Sequence, residues 1–240
     1  MHPEKKVWFR ELCVKNGLTP TIEQLEQLNY YVVLLLEWNK KINIISRKDE
    51  ENVWTYHILH SISPLFKLEI KQNSTIVDIG TGGGLPGIPI KILRPDISML
   101  CIDSTGKKIN AVSQMINDIQ LNKIQALWGR AEEIGLQPEY TRKFDSVIAR
   151  AVAPLRDLLS WSKVFLKSID KNKRVKINHM RDRIDPDFPA LIALKGGDLS
   201  EEIETAKREN PQINIQSIDI TFTGSEQLIA SDKKILVVHF

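Results

Sequence analysis

Cysteine is almost missing from this sequence. Cys13 and Cys101 are the two in 240 residues and lie far apart, which argues against a disulfide framework. Long apolar runs are missing as well. The longest, Tyr30 to Leu36, falls far short of the roughly 20 apolar residues that cross a bilayer. Met1-His2-Pro3-Glu4-Lys5-Lys6 leads into no apolar signal core, so no membrane association is expected and a cytoplasmic chain is. Nor does one sign of charge dominate: Lys and Arg number 33 against 30 Asp and Glu, and a net charge of +3 by itself says nothing about nucleic acid. His57 and His60 have a metal-like spacing, but no cysteine or acidic cluster accompanies them. Packing or polar surface roles are expected there, and no metal site.

What is present is an ordinary globular composition, 42% hydrophobic and 26% charged. The length suits one sizeable core with an appended lobe rather than two full domains. The expected division is a helical extension at 1–72, packed on the core, and the main domain at 73–240. In the extension Thr19 is a candidate helix cap, Pro20 suits a first helical position, and Leu25, Leu28, Val32 and Leu35 form a stripe at helical spacing. A further helix is expected over Val53 to Leu65, with Trp54, Ile58 and Ile62 on one side. From Ile76 strands alternate with helices, the pattern of a parallel sheet covered on both faces.

The first strand leads into the most informative stretch, Ile76-Val77-Asp78-Ile79-Gly80-Thr81-Gly82-Gly83-Gly84-Leu85-Pro86-Gly87-Ile88-Pro89. It reads as buried strand, tight turn and helix. The run of glycines lets a ligand approach main-chain atoms closely. Asp78 interrupts a buried strand, so it is expected to face either the ligand crevice or the amide hydrogens of the turn. Free amides at the start of the following helix favour an anionic group, a phosphate or a carboxylate. A dinucleotide fingerprint needs glycine at the sixth position from Gly80, where Leu85 stands, so a NAD motif fails. Asp-x-Gly-x-Gly-x-Gly-Leu instead resembles the first motif of S-adenosylmethionine-dependent methyltransferases, whose glycine turn faces the methionine part of the cofactor.

Later positions gather at the same sheet edge. Met99 to Ile102 forms a second strand ending at Asp103, 19 residues after Gly84, where a carboxylate can accept from the ribose hydroxyls of a cofactor. Ser104 can cap the next helix and leave Asp103 for the ribose; a cap role for Asp103 is the alternative. A third strand, Ile124 to Trp128, runs into Gly129-Arg130-Ala131-Glu132-Glu133, a loop expected beside the cofactor's base. A fourth, Phe144 to Ala149, ends at Arg150, for which a buried salt bridge is the alternative to a ligand role. Gly80, Asp103, Glu132 and Arg150 are thus expected to meet at the crevice where open α/β sheets bind ligands. Lys107 and Lys108 start a helix, where cations oppose the dipole; an anionic partner explains them, and a solvated pair is the alternative. Lys195 closes a fifth strand, Leu191 to Gly197, and Ile213 to Ile220 is expected to pair with Ile235 to Phe240 as a terminal hairpin. The stretch from Lys171 to Arg183 sets Lys171, Lys173, Arg174, Lys176, Arg181 and Arg183 against Asp182 alone. It is either a solvated loop or a docking arm for RNA phosphates.

Together these motifs resemble one family, the bacterial RsmG (GidB) methyltransferases, which methylate N7 of a guanine in small-subunit ribosomal RNA. The resemblance covers most of the chain from about Leu25. It rests chiefly on Val77 to Pro89 and on Asp103-Ser104-Thr105-Gly106-Lys107-Lys108. Arg130-Ala131-Glu132-Glu133, Ala149-Arg150-Ala151, Ala193-Leu194-Lys195-Gly196, Trp38-Asn39-Lys40 and His57-Ile58-Leu59 support it. His60 stands where the family usually has Asp, and Lys234 where Arg is typical. The resemblance implies a Rossmann-like class I α/β fold whose seven-stranded, mostly parallel sheet ends in an antiparallel hairpin. It implies S-adenosyl-L-methionine as cofactor, held by Gly80, Leu85, Ala131, Glu132 and Arg150, with Gly82, Gly84 and Asp103 joining on the general methyltransferase pattern. Lys107, Lys108 and Lys195 match basic positions that the family turns toward RNA. The implied partner is 16S rRNA or a small ribosomal subunit particle, and a monomer is expected.

Guanine N7 has a lone pair and no proton to lose, so no general base is expected. A dinucleotide oxidoreductase, a non-catalytic RNA-binding module on a methyltransferase scaffold and a small-molecule methyltransferase are the rivals. The missing glycine disfavours the first, intact cofactor positions the second, and cations at the sheet edge the third.

Overall fold

The computed structural model describes residues 3–168 and 183–240. The basic stretch expected as a docking arm therefore lies outside the described residues, except Arg183, whose guanidinium donates to the Gly17 carbonyl at 2.9 Å. The chain opens with α1 (Pro3–Lys15) and α2 (Ile22–Asn39), then a 3₁₀ turn (Arg47–Asp49) and a π-helical stretch (Trp54–Leu59) that runs into α3 (His60–Lys67). The alternating part follows: β1 (Thr75–Ile79), α4 (Gly87–Leu93), β2 (Ser98–Asp103), α5 (Gly106–Asp118), β3 (Ile124–Trp128), α6 (Ala131–Ile134), β4 (Ser146–Arg150) and α7 (Leu155–Phe165). The remainder is β5 (Ala190–Gly196), α8 (Ser200–Glu209), β6 (Asn214–Asp219), α9 (Glu226–Ala230) and β7 (Lys233–His239).

Among the described residues seven strands form one sheet in the order β3-β2-β1-β4-β5-β7-β6. β1 to β5 run parallel, and β7 is antiparallel to both β5 and β6. The order reverses between β1 and β4, which makes the carboxyl ends of those strands the natural ligand crevice. Register completes the placement. Ile79 stands level with Ile102 on one side and Ala149 on the other, so the next residues, Gly80, Asp103 and Arg150, emerge together.

Side chains alternate across the sheet and build a core on each face. Ile76 and Ile148 join α1 to α5 on one face, while Val77, Val147 and Ala149 join α6, α7 and Leu199 on the other. The N-terminal helices share the first of these cores with β1, β2 and α4.

Several local expectations shift. The cap of α2 is Thr21, not Thr19: its hydroxyl accepts from the Gln24 amide while the Gln24 side chain accepts from the Thr21 amide, a reciprocal pair that Thr19 cannot make. The Val53–Leu65 helix is a wide π-helical stretch followed by α3, which ends at Lys67. The terminal strands do pair, but α9 interrupts the hairpin between them.

Candidate functional site

The turn after β1 holds Gly80 at φ +68° and Gly82 at φ +59°, a region costly for residues with a Cβ. A Cβ on Gly80 would stand 2.4 Å from Val152 Cγ1, whereas one on Gly82 would meet nothing within 4 Å. Gly82 therefore presents bare main chain to open space. Beneath the turn, fully buried Asp78 accepts through Oδ2 from the Thr81 hydroxyl at 2.6 Å and the Gly87 amide at 2.9 Å. Of the two roles expected for Asp78, the turn takes it. Burial raises its pKa to about 7, against the lowering effect of these two bonds.

Asp103 accepts from the Gly82 amide at 2.9 Å through Oδ2 and from the Thr105 amide at 2.8 Å through Oδ1. It shapes the entry to α5 itself, which corrects the expectation that Ser104 would relieve it of that role. Each oxygen still has a second lone pair. Asp103 lines a hollow of about 290 Å³, with Ile79, Ile102, Val152, Ala131 and Glu132. A second, larger hollow of about 580 Å³ adjoins it. Gly80, Lys108 and Ala151 border both.

The single crevice expected from the strand ends is thus two neighbouring hollows that share Gly80, Lys108 and Ala151. Asp103, Ala131 and Glu132 line the smaller; Gly82, Leu85 and Arg150 line the larger. Gly84 lines neither, since a Cβ there would lie 2.4 Å from Ile88 Cδ1, and it serves the packing of the turn on α4. Lys195 lines neither either: its ammonium donates to the Ala153 carbonyl at 2.8 Å and pairs with Glu202 at 2.6 Å. Those partners hold the ammonium against α7's entry and α8, with the side chain 12% exposed. Lys107 is exposed at the start of α5.

Arg150 forms no ion pair among the described residues, so the salt-bridge alternative fails. One terminal nitrogen donates to the Tyr56 carbonyl at 3.4 Å, the other touches His57 Nδ1 at 3.2 Å, and buried Nε has no partner. A guanidinium only donates, so His57 Nδ1 accepts and its proton sits on Nε2, 3.4 Å from Asp49 Oδ2. Burial, then Arg150, lowers the His57 pKa to about 4. The same causes hold buried His60 well below its ordinary value. Both imidazoles are neutral near pH 7.

Sequence reasoning missed Asp49, Tyr56, Ala151 and Lys233, all of which line the larger hollow. Asp49, Ala151 and Lys233 sit in turns or at strand ends with no periodic signal, and Tyr56 lies within the expected helix but off its Trp54, Ile58 and Ile62 side. Ala151 is held at φ +52°, a conformation its type does not announce.

The family model for rRNA small subunit methyltransferase G matches residues 24–187. The chain belongs to this family. The ribosomal RNA small subunit methyltransferase G of Chlorobaculum tepidum is 38% identical over 232 residues, 95% of either chain. That of Bacteroides fragilis is 35% identical over 210 residues, 87% of this chain and 93% of its own. Among solved structures, a SAM dependent methyltransferase from Aquifex aeolicus has a TM-score of 0.50 at 15% identity, covering 85% of this chain and 96% of that one. M. jannaschii TYW2 in complex with AdoMet also has a TM-score of 0.50, at 13% identity, covering 83% and 77%. The fold is the Rossmann-like class I arrangement, and this member of the family is an S-adenosylmethionine-dependent methyltransferase. No helix among the described residues is long and apolar enough to cross a membrane.

Proposed function

We propose that this chain transfers the methyl group of S-adenosyl-L-methionine to N7 of a guanine in small-subunit (16S) ribosomal RNA, acting as a cytoplasmic monomer. The observation that carries the reading is the pair of neighbouring hollows that share Gly80, one lined by the Asp103 carboxylate and the other rich in cations. The smaller suits a nucleoside. Asp103 keeps lone pairs for ribose hydroxyls, and Ile79, Ile102, Ala131 and Val152 offer apolar walls to a purine, with Glu132 at its rim. The bare main chain of Gly82, beside Leu85, and the positive charge of Arg150 suit the charged amino-acid end.

When bound, the cofactor supplies an electrophilic methyl on a sulfonium centre. The protein supplies placement. Guanine N7 attacks with a lone pair it already has, so no side chain need remove a proton, and the neutral His57 and His60 shape the cavity rather than shuttle charge. Holding N7 in line with the methyl is an effective-concentration contribution of about 7–11 kcal/mol in the best cases. Segment 1–72 is assigned the base end of the cavity, because Asp49, Tyr56 and His57 come from it, and 73–240 the cofactor end. Lys107 and Lys108 are assigned to RNA phosphates. Lys195, held by Glu202, has at most a supporting part in that surface.

Incubation with methyl-labelled S-adenosylmethionine and small-subunit rRNA should move label into the RNA, and Arg150→Ala should abolish most of it. Binding of NAD with no binding of S-adenosylmethionine would reverse the assignment.

A further inference from the structure

The polar lining of the larger hollow is lopsided. Lys108, Arg150 and Lys233 are cationic donors, and His57 and His60 are neutral. Among the described residues its one carboxylate is Asp49. Asp49 ends the 3₁₀ turn, and the loop around it is firmly held. Asn39 Oδ1 accepts from the amides of Ile44 and Ile45 at 2.8 and 2.9 Å, and its Nδ2 donates to Glu50 at 2.6 Å. Ile44 in turn sits against Gly83, where a Cβ would come within 2.3 Å of it. The loop is therefore fixed to the glycine turn. Yet the Asp49 carboxylate forms no hydrogen bond among the described residues: His57 Nε2 approaches Oδ2 at 3.4 Å, and the side chain is 35% exposed. Most of its acceptor capacity is unspent.

Guanine has two unlike edges. N7 and O6 accept, and on the far side N1–H and N2–H donate. When N7 faces the methyl group, the donating edge needs an acceptor, and a carboxylate meets both hydrogens with two parallel, charge-assisted bonds. Adenine presents no such pair. Bases drawn out of RNA structure are read on this edge. His57 leaves Asp49 open to that use: its Nε2 approaches Oδ2 at 3.4 Å without a hydrogen bond, so both carboxylate oxygens keep their acceptor capacity.

From this juxtaposition we propose that Asp49 accepts hydrogen bonds from N1–H and N2–H of the target guanine and so sets the base specificity of methyl transfer. The proposal rests on the rRNA methyltransferase reading above. Asp49 touches substrate in it and takes no part in the chemical step.

The test pairs a protein change with the removal of one RNA atom group. An rRNA fragment carrying the mapped target guanosine is compared with the same fragment carrying inosine, which retains N7, O6 and N1–H but lacks the N2 amine. Wild-type kcat/KM should favour guanosine by about tenfold. In Asp49→Ala both rates should fall, since the N1–H bond is lost with either base, but guanosine should fall the further so that the ratio approaches one, with S-adenosylmethionine affinity unchanged. Asp49→Asn, which keeps the side chain's shape, should give an intermediate ratio. A guanosine-to-inosine ratio in Asp49→Ala equal to that of wild type overturns the proposal, even if both rates drop, because a merely structural or counter-charge role lowers both alike. If wild-type protein methylates no guanine at all, the broader reading fails, and this one with it.

Discussion

The wholly buried hydroxyl of Tyr31, in α2, donates to the carbonyl of Gly83 at 2.9 Å. The bond ties the N-terminal helices to the turn that ends β1. Gly83 permits it by having no side chain: a Cβ there would lie 2.3 Å from Ile44 Cγ2 and 2.7 Å from Leu35 Cδ1. The third glycine of the run thus serves close packing, while Gly82 next to it faces open space.

Tyr31→Phe keeps the ring and removes the donor, leaving a buried carbonyl unpaired. The expected loss is about 1–3 kcal/mol, read as a lower urea midpoint with an unchanged slope. An unaltered midpoint would mean that the bond contributes nothing.

The sheet was legible because its information is local. Apolar runs such as Ile76–Ile79 and Met99–Ile102 mark strands, and their last residues necessarily share an edge in a parallel sheet. That is why Gly80, Asp103 and Arg150 could be grouped from spacing alone. What could not be read was decided between distant segments. Lys195 ends a strand as expected, but Glu202 from α8 and the Ala153 carbonyl hold its charge inward. Asp103 needed for its placement the Gly82 amide, 21 positions away. Asp49 reaches the larger hollow through a 3₁₀ turn, which has no hydrophobic period to betray it, and Tyr56 from a position off the Trp54, Ile58 and Ile62 stripe of the expected helix.

Asp103 has a double duty, and two variants separate its parts. Asp103→Ala removes the acceptor of the Gly82 and Thr105 amides together with the ribose contact assigned to it, and S-adenosylmethionine affinity should fall by about tenfold, or 1.4 kcal/mol. Asp103→Asn retains one acceptor oxygen and should lose less. Titration calorimetry on the two variants decides; equal, wild-type affinity in both would remove Asp103 from the cofactor site.

Lys107 is exposed at the start of α5 and lines neither hollow, whereas Lys108 borders both. Lys107→Gln should therefore weaken RNA binding and lower the slope of log affinity against log salt by about one, with cofactor affinity unchanged. Filter binding over a salt series measures it. A slope identical to that of wild type would leave Lys107 as solvated surface.

Asp78 makes stability depend on pH. Burial raises its pKa from 3.8 to about 7, so between those values the native state keeps a proton that the unfolded chain has lost. Stability contributed by this group is full below the unfolded value and declines as pH rises toward 7, by on the order of 4 kcal/mol. His57 acts in the opposite sense between its lowered pKa of about 4 and 6.5, but it is common to wild type and to Asp78→Asn. The difference between those two proteins should accordingly shift in favour of the Asn variant from pH 4 to 7 and level off above. Parallel stability curves across that interval would show that Asp78 titrates normally.

The chemical identity of the product tests the central claim most directly. A guanine methylated at N7 carries a positive ring; borohydride reduces it, the base is then lost, and aniline breaks the strand at that site, so end-labelled small-subunit rRNA treated with the protein and S-adenosylmethionine should be cut at one guanine. The cut should be absent when the cofactor is withheld. Label recovered on an exocyclic nitrogen, on a ribose oxygen or on no RNA at all would contradict the account.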